Sequence, residues 1–199
     1  VLVAITAVSQ ALLFQTEVGQ TALVDQWERT ALAFGQNVDD TKYEGLQSLS
    51  QIGPLYGVAM ALATGPVLTL AVAAVVFLVF RPRQERRVSY SQVIAVIAHA
   101  SVILAIRQVV SAPVNFAREA TGSATSLGLW FPALDTASFA GRFVGALDVF
   151  VIWWVVLLAM GVGILYGRQT RRLAAAFLGV YAGVSLLIAL TMTALGGTV

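Results

Sequence analysis

Two charged residues stand inside apolar stretches, Arg107 and Asp148. An ionised side chain in hydrocarbon costs several kcal/mol unless it is paired or reaches the interface. Arg107 lies about eight residues before the outer end of its stretch and Asp148 about five residues inside the outer end of the next. At about 1.5 Å per helical residue, the two depths differ by only about 5 Å, which an arginine side chain covers. They are expected to form an intramembrane ion pair. A proton or ion relay is the functional alternative to a structural pair. His99, the only histidine, is flanked by Ala98 and Ala100. Small neighbours would admit a large ring, so an axial ligand to a haem or chlorophyll-type tetrapyrrole stands beside the simpler reading of a packing histidine. No histidine or carboxylate spacing fits a metal site, and no phosphate loop or nucleophile–base arrangement is present. The expectation is therefore no catalytic residue, no metal and no cofactor, with the tetrapyrrole on His99 as the alternative.

The elements that position these residues follow from hydropathy. Hydrophobic residues make up 58% of the chain and charged residues 11%, too few to cover a soluble domain. The chain reads as an all-α polytopic membrane bundle and as one domain over residues 1–199. Five transmembrane helices are expected, at about 1–14, 55–80, 93–114, 143–166 and 173–195, with outer segments at 15–54 and 115–142. The first stretch is shorter than the roughly 20 residues a crossing needs. A span whose start lies upstream is expected there, a signal peptide being the rival. Pro66 predicts a kink in the second span. Val18, Ala22, Leu23, Trp27, Ala31 and Phe34 stand at helical spacing, as do Leu46, Leu49 and Ile52, so two short amphipathic helices are expected in the first outer segment. The absence of cysteine excludes disulfides and thiol chemistry.

Orientation follows from the short links. Arg81, Arg83, Arg86 and Arg87 occupy one, and Arg168, Arg171 and Arg172 the other, against the single acid Glu85. Short basic loops stay in the cytoplasm. The N-terminus is then expected in the cytoplasm and the C-terminus outside. These arginines point to a lipid surface and not to nucleic acid.

Four Gly-xxx-Gly pairs occur: Gly53 with Gly57, Gly141 with Gly145, Gly163 with Gly167, and Gly179 with Gly183. Such pairs let helix backbones approach closely, within the bundle or against a partner. Gly163, Gly167, Gly179 and Gly183 are the expected partner-contact positions, the partner being another membrane subunit or a second copy.

The run Gly145-Ala-Leu-Asp148-Val-Phe-Val-Ile-Trp153, followed by Leu157-Leu-Ala-Met-Gly161, is similar to a span of the Yip domain family, the Rab/Ypt-interacting-protein-like membrane proteins. Val88-Ser-Tyr90-Ser-Gln-Val-Ile-Ala-Val resembles the start of that family's third span. The resemblance covers roughly residues 55–195 and is that of a bacterial member. It implies five spans, a cytoplasmic N-terminus and a far-side C-terminus, here in a bacterial cytoplasmic membrane. The function expected from residues and resemblance together is a non-catalytic membrane scaffold or accessory subunit. A small transporter or channel using Arg107 and Asp148, and a pigment- or haem-carrying subunit using His99, are the alternatives.

Overall fold

The computed structural model describes residues 2–81, 88–119 and 124–195. Every regular element among them is helical: α1 (Leu2–Phe14), α2 (Glu17–Ala33), α3 (Asp40–Ser50), α4 (Gly53–Phe80), α5 (Tyr90–Ala100), α6 (Val102–Ala117), α7 (Phe139–Ala146), α8 (Val149–Tyr166) and α9 (Thr170–Leu195), with a single 3-10 turn at Leu127–Trp130. Helix is what hydrocarbon demands, because each backbone group must find its partner within its own segment. Four stretches are long and apolar enough to cross a membrane: 53–80, 90–117, 149–166 and 170–195. The apolar α1 is shorter, at 13 residues.

The predicted second span is one continuous helix through Pro66. The predicted third span is divided at Ser101, which ends α5 and starts α6. The Ser101 hydroxyl donates to the Ile97 carbonyl at 2.8 Å and accepts from the Trp154 indole at 3.3 Å, so α8 holds this bend. Trp154 is thus a packing residue, while its neighbour Trp153 is half exposed.

One half of the bundle carries the apolar core. Ala73 and Val76 of α4 meet Val93, Ile97 and Ala100 of α5 and Leu158 and Val162 of α8. The rings of Phe80 and Tyr166 stack at 5.0 Å and those of Phe77 and Tyr90 meet edge to face at 5.6 Å, closing that end. Gly161 lets the helices come this close: a β-carbon there would collide with the Val96 side chain. Bringing α5 and α8 together at such short range gives the close packing that replaces a hydrophobic drive in lipid.

The other half is built around α1, α2 and the segment from 124 to 148. α1 packs along α4, where Gly53 and Gly57 lie against Phe14 and Gln10 with no room for larger side chains. This Gly-xxx-Gly pair is spent inside the bundle. The two amphipathic helices predicted in the first outer segment are α2 and α3. α2 buries Gly19, Ala22, Leu23 and Val24, and Trp27 meets Tyr56 edge to face at 5.3 Å. α3 buries only Ser50 and leaves Leu49 half exposed. Among the predicted basic links, Arg83, Arg86 and Arg87 lie outside the described residues. Arg81 follows α4 with its guanidinium 5.9 Å above the Phe77 ring, and Arg168, Arg171 and Arg172 are exposed around the α8–α9 turn.

Candidate functional site

The site forms where the predicted fourth span is interrupted. The stretch 143–166 is not one helix. α7 ends at Ala146, Leu147 turns extended at φ −87° and ψ 124°, and α8 begins after Asp148, itself extended at φ −120° and ψ 130°. Asp148 is the N-cap of α8, and this corrects its expected place five residues inside a span. Its Oδ1 accepts the backbone N–H groups of Phe150 at 2.9 Å and Val151 at 3.2 Å. An aspartate in this role satisfies donors that a helix start otherwise leaves unpaired, and its charge opposes the positive end of the helix dipole.

The second carboxylate oxygen makes the ion pair. Arg107 Nε donates to Asp148 Oδ2 at 2.8 Å, and the Thr125 hydroxyl donates to the same oxygen at 2.5 Å. Asp148 is 5% exposed and the Arg107 side chain 31%. A carboxylate offers about four acceptor sites, and both oxygens of Asp148 are engaged by these bonds.

The backbone around the pair is also closed. Leu127 N–H donates to Leu147 C=O at 2.7 Å and Val149 N–H to Thr125 C=O at 3.2 Å, a two-rung antiparallel bridge across Ser126 and Asp148. These rungs satisfy groups that the helix break exposes, which is the condition for non-helical backbone at membrane depth. The buried Ser126 hydroxyl donates to Gly145 C=O at 2.8 Å. From α9, the Tyr181 hydroxyl accepts from Asp148 N–H and donates to Ala146 C=O, both at 3.0 Å. One aspartate therefore ties together α6, the 124–130 segment, α8 and α9. Sequence reasoning missed Thr125, Ser126 and Tyr181. A tyrosine in the middle of an apolar helix was the available signal, since a buried phenol finds a partner.

The remaining predicted positions lie apart from this cluster. His99 is exposed on the last turn of α5 with Nδ1 2.7 Å from Ala95 C=O. The carbonyl can only accept, so the proton sits on Nδ1. No group of three or more potential metal ligands occurs among the described residues. Gly163 and Gly167 do not form one helix face, and this corrects the expected contact pair. Gly167 stands at φ +63° and terminates α8 in the left-handed conformation that glycine adopts without strain. Gly163 lies against the Arg168 carbonyl and Thr170 of the following turn, so it serves the α8–α9 connection. Gly179 and Gly183 differ: a β-carbon at either would meet nothing within 4 Å.

The family model for the Yip1 domain matches residues 1–193. The chain belongs to the Yip1 domain family. No curated protein and no solved structure matches it. The residues that carried the resemblance now have physical roles in this Yip1 domain. Leu147 supplies the carbonyl of the bridge, Asp148 the cap and the ion pair, and Phe150 a capped N–H and a ring 6.3 Å from that of Trp153. Gly161 supplies the gap that Val96 fills. Chemically, the Arg107–Asp148 cluster is a lock: its carboxylate is fully committed, so it holds four segments in register.

Proposed function

We propose that this Yip1 domain is a non-catalytic scaffold or accessory subunit of a larger assembly in the bacterial cytoplasmic membrane. The observation that carries the reading is the open face of α9. Gly179 and Gly183 stand four residues apart with free space above them, bordered by the exposed Val180, Val184 and Leu187. Glycines inside the bundle are in tight contact at 53, 57 and 161, so this pair is free for the helix of another membrane subunit or of a second copy. The lock favours the same reading over transport, since a relay needs a carboxylate that can release its partners. The reading includes no cofactor, His99 being the one histidine of the sequence.

The test is Gly179→Leu. The protein in mild detergent should keep its thermal unfolding temperature within about 2 °C, because the added side chain enters open space. On a native gel it should lose the partner band, or the dimer band, that the parent shows. A variant that still migrates with every partner of the parent contradicts the contact at α9.

The proposed topology places α1 in a fifth crossing, with the N-terminus in the cytoplasm and the C-terminus outside. Gln169 is exposed in the turn between α8 and α9, beside Arg168. In this cysteine-free chain, Gln169→Cys should react with an impermeant maleimide only after the membrane is permeabilised. Labelling of intact cells from the outer side would reverse the orientation.

A further inference from the structure

A cavity lies beyond the lock, at the end of the bundle that holds the two long connecting segments. Its volume is about 630 Å³, and α2, the turn after α6, the 126–137 segment, α7 and α9 all contribute to its walls. Five charged side chains line it: Asp25, Arg29, Arg118, Glu119 and Arg142. In a chain with only 11% charged residues this is a strong local concentration. Among the described residues, Asp25, Arg29, Arg118 and Glu119 enter no ion pair, although both signs share one cavity. Arg142 is half-buried and donates from Nη1 to the Met192 carbonyl in the last turn of α9, which fixes its guanidinium and leaves its other N–H groups for a further acceptor.

The depth of the cavity narrows the choice of occupant. Arg118 follows the last residue of α6, and Met192 lies in the last turn of α9, so the charges stand where two spans leave the hydrocarbon. Trp130 is 75% exposed and Phe131 53%, beside the cavity-lining Leu129. Exposed aromatic rings of this kind sit at headgroup level. Guanidinium groups bind phosphate with planar, charge-assisted hydrogen bonds, and a carboxylate without a protein cation is suited to a ligand ammonium.

We propose that this cavity binds a ligand carrying a phosphate and a primary ammonium, with Arg29, Arg118 and Arg142 on the phosphate and Asp25 and Glu119 on the ammonium. The chemistry is that of an ethanolamine phosphate, either as a phospholipid headgroup or as a free water-soluble compound. This site is separate from the α9 face.

Native mass spectrometry of the full chain in detergent tests it, with phosphatidylethanolamine and phosphatidylglycerol as probes. The parent should bind phosphatidylethanolamine about tenfold more tightly than phosphatidylglycerol. The double variant Arg29→Gln, Arg118→Gln changes two exposed side chains. It should weaken both lipids about tenfold with the unfolding temperature unchanged. Asp25→Asn with Glu119→Gln should equalise the two lipids. Arg171→Gln with Arg172→Gln, at the opposite end, should leave the preference intact. Equal binding of the two lipids by the parent overturns the proposal, as does binding that falls with the Arg171 and Arg172 changes and not with those at Arg29 and Arg118. O-phosphoethanolamine separates the sources: displacement at concentrations near the lipid Kd identifies a soluble compound, and failure to displace identifies the lipid.

Discussion

Asp148→Ala should be among the most damaging single changes in this protein, costing about 3–5 kcal/mol. It removes the cap of α8, the hydrogen bond from Thr125 and the counter-charge of Arg107 together. Most of the loss comes from leaving the guanidinium without its anion in a part-buried place. Asp148→Asn separates the contributions. Asparagine caps a helix about as well as aspartate, so this variant keeps the two N–H bonds of Phe150 and Val151 and loses the charge. The difference between the Ala and Asn variants should be about 1 kcal/mol, the worth of the cap. Arg107→Gln added to Asp148→Asn should cost little beyond the single change, because the two residues act as one unit. Unfolding titrations in mixed micelles measure the parent, the two changes at Asp148, Arg107→Gln alone and the double variant. Additive losses would show that the 2.8 Å contact contributes nothing to stability.

Gly141→Ala and Gly19→Ala should each destabilise by about 1–3 kcal/mol, against the ordinary helical preference for alanine over glycine of about 1 kcal/mol. The reason is a device used twice. The Thr16 hydroxyl donates to Leu13 C=O at 2.7 Å and accepts from Gly19 N–H at 3.0 Å. The Ser138 hydroxyl donates to Asp135 C=O at 2.6 Å and accepts from Gly141 N–H at 3.0 Å. In both places one hydroxyl draws the carbonyl three residues before the cap against the glycine three residues after it. A β-carbon at Gly19 would fall on the Leu13 carbonyl, and one at Gly141 on that of Asp135. These are backbone atoms, so relief requires moving the chain. Gly45 is the control. It lies exposed on α3, and a β-carbon there would meet nothing within 4 Å, so Gly45→Ala should stabilise by up to about 1 kcal/mol. The same unfolding titration reads all three. Stabilisation by alanine at 19 or 141 would mean that the close carbonyl is not a constraint.

The partners of the lock were legible where a charge interrupts apolar sequence: Arg107 and Asp148 stand out because hydrocarbon makes them expensive. The break between α7 and α8 was not legible, because every residue from Phe143 to Tyr166 other than Asp148 is apolar or glycine. An aspartate in such a run reads as a charge inside a span, while its role as a cap depends on Thr125, Ser126 and Tyr181, which come from segments with no periodic pattern linking them to it. α2 and α3 were legible from the spacing of their apolar residues, within a residue or two at most ends. Gly163 and Gly167 misled because a four-residue spacing fits a packing face and a helix end equally well. The basic residue after Gly167 and the polar turn that follows are the features that mark it as a terminator. The α5–α6 bend hid in Ser101, an ordinary small residue in a membrane helix, and only the Trp154 indole across the bundle reveals it.

The order of the lock along the chain has a consequence for biogenesis. Arg107 precedes Asp148 by 41 residues, so a chain made from its N-terminus presents the arginine to the translocon before its counter-charge exists. Alone at the centre of a helix, an arginine disfavours insertion by about 2.5–3.5 kcal/mol. The α5–α6 stretch therefore settles fully only when the α8 stretch arrives beside it. Tyr181 comes later still and closes the junction from α9. Three apolar helical stretches thus meet at one junction completed in chain order, and a chain that has been made only between residues 107 and 148 carries the arginine without its counter-charge.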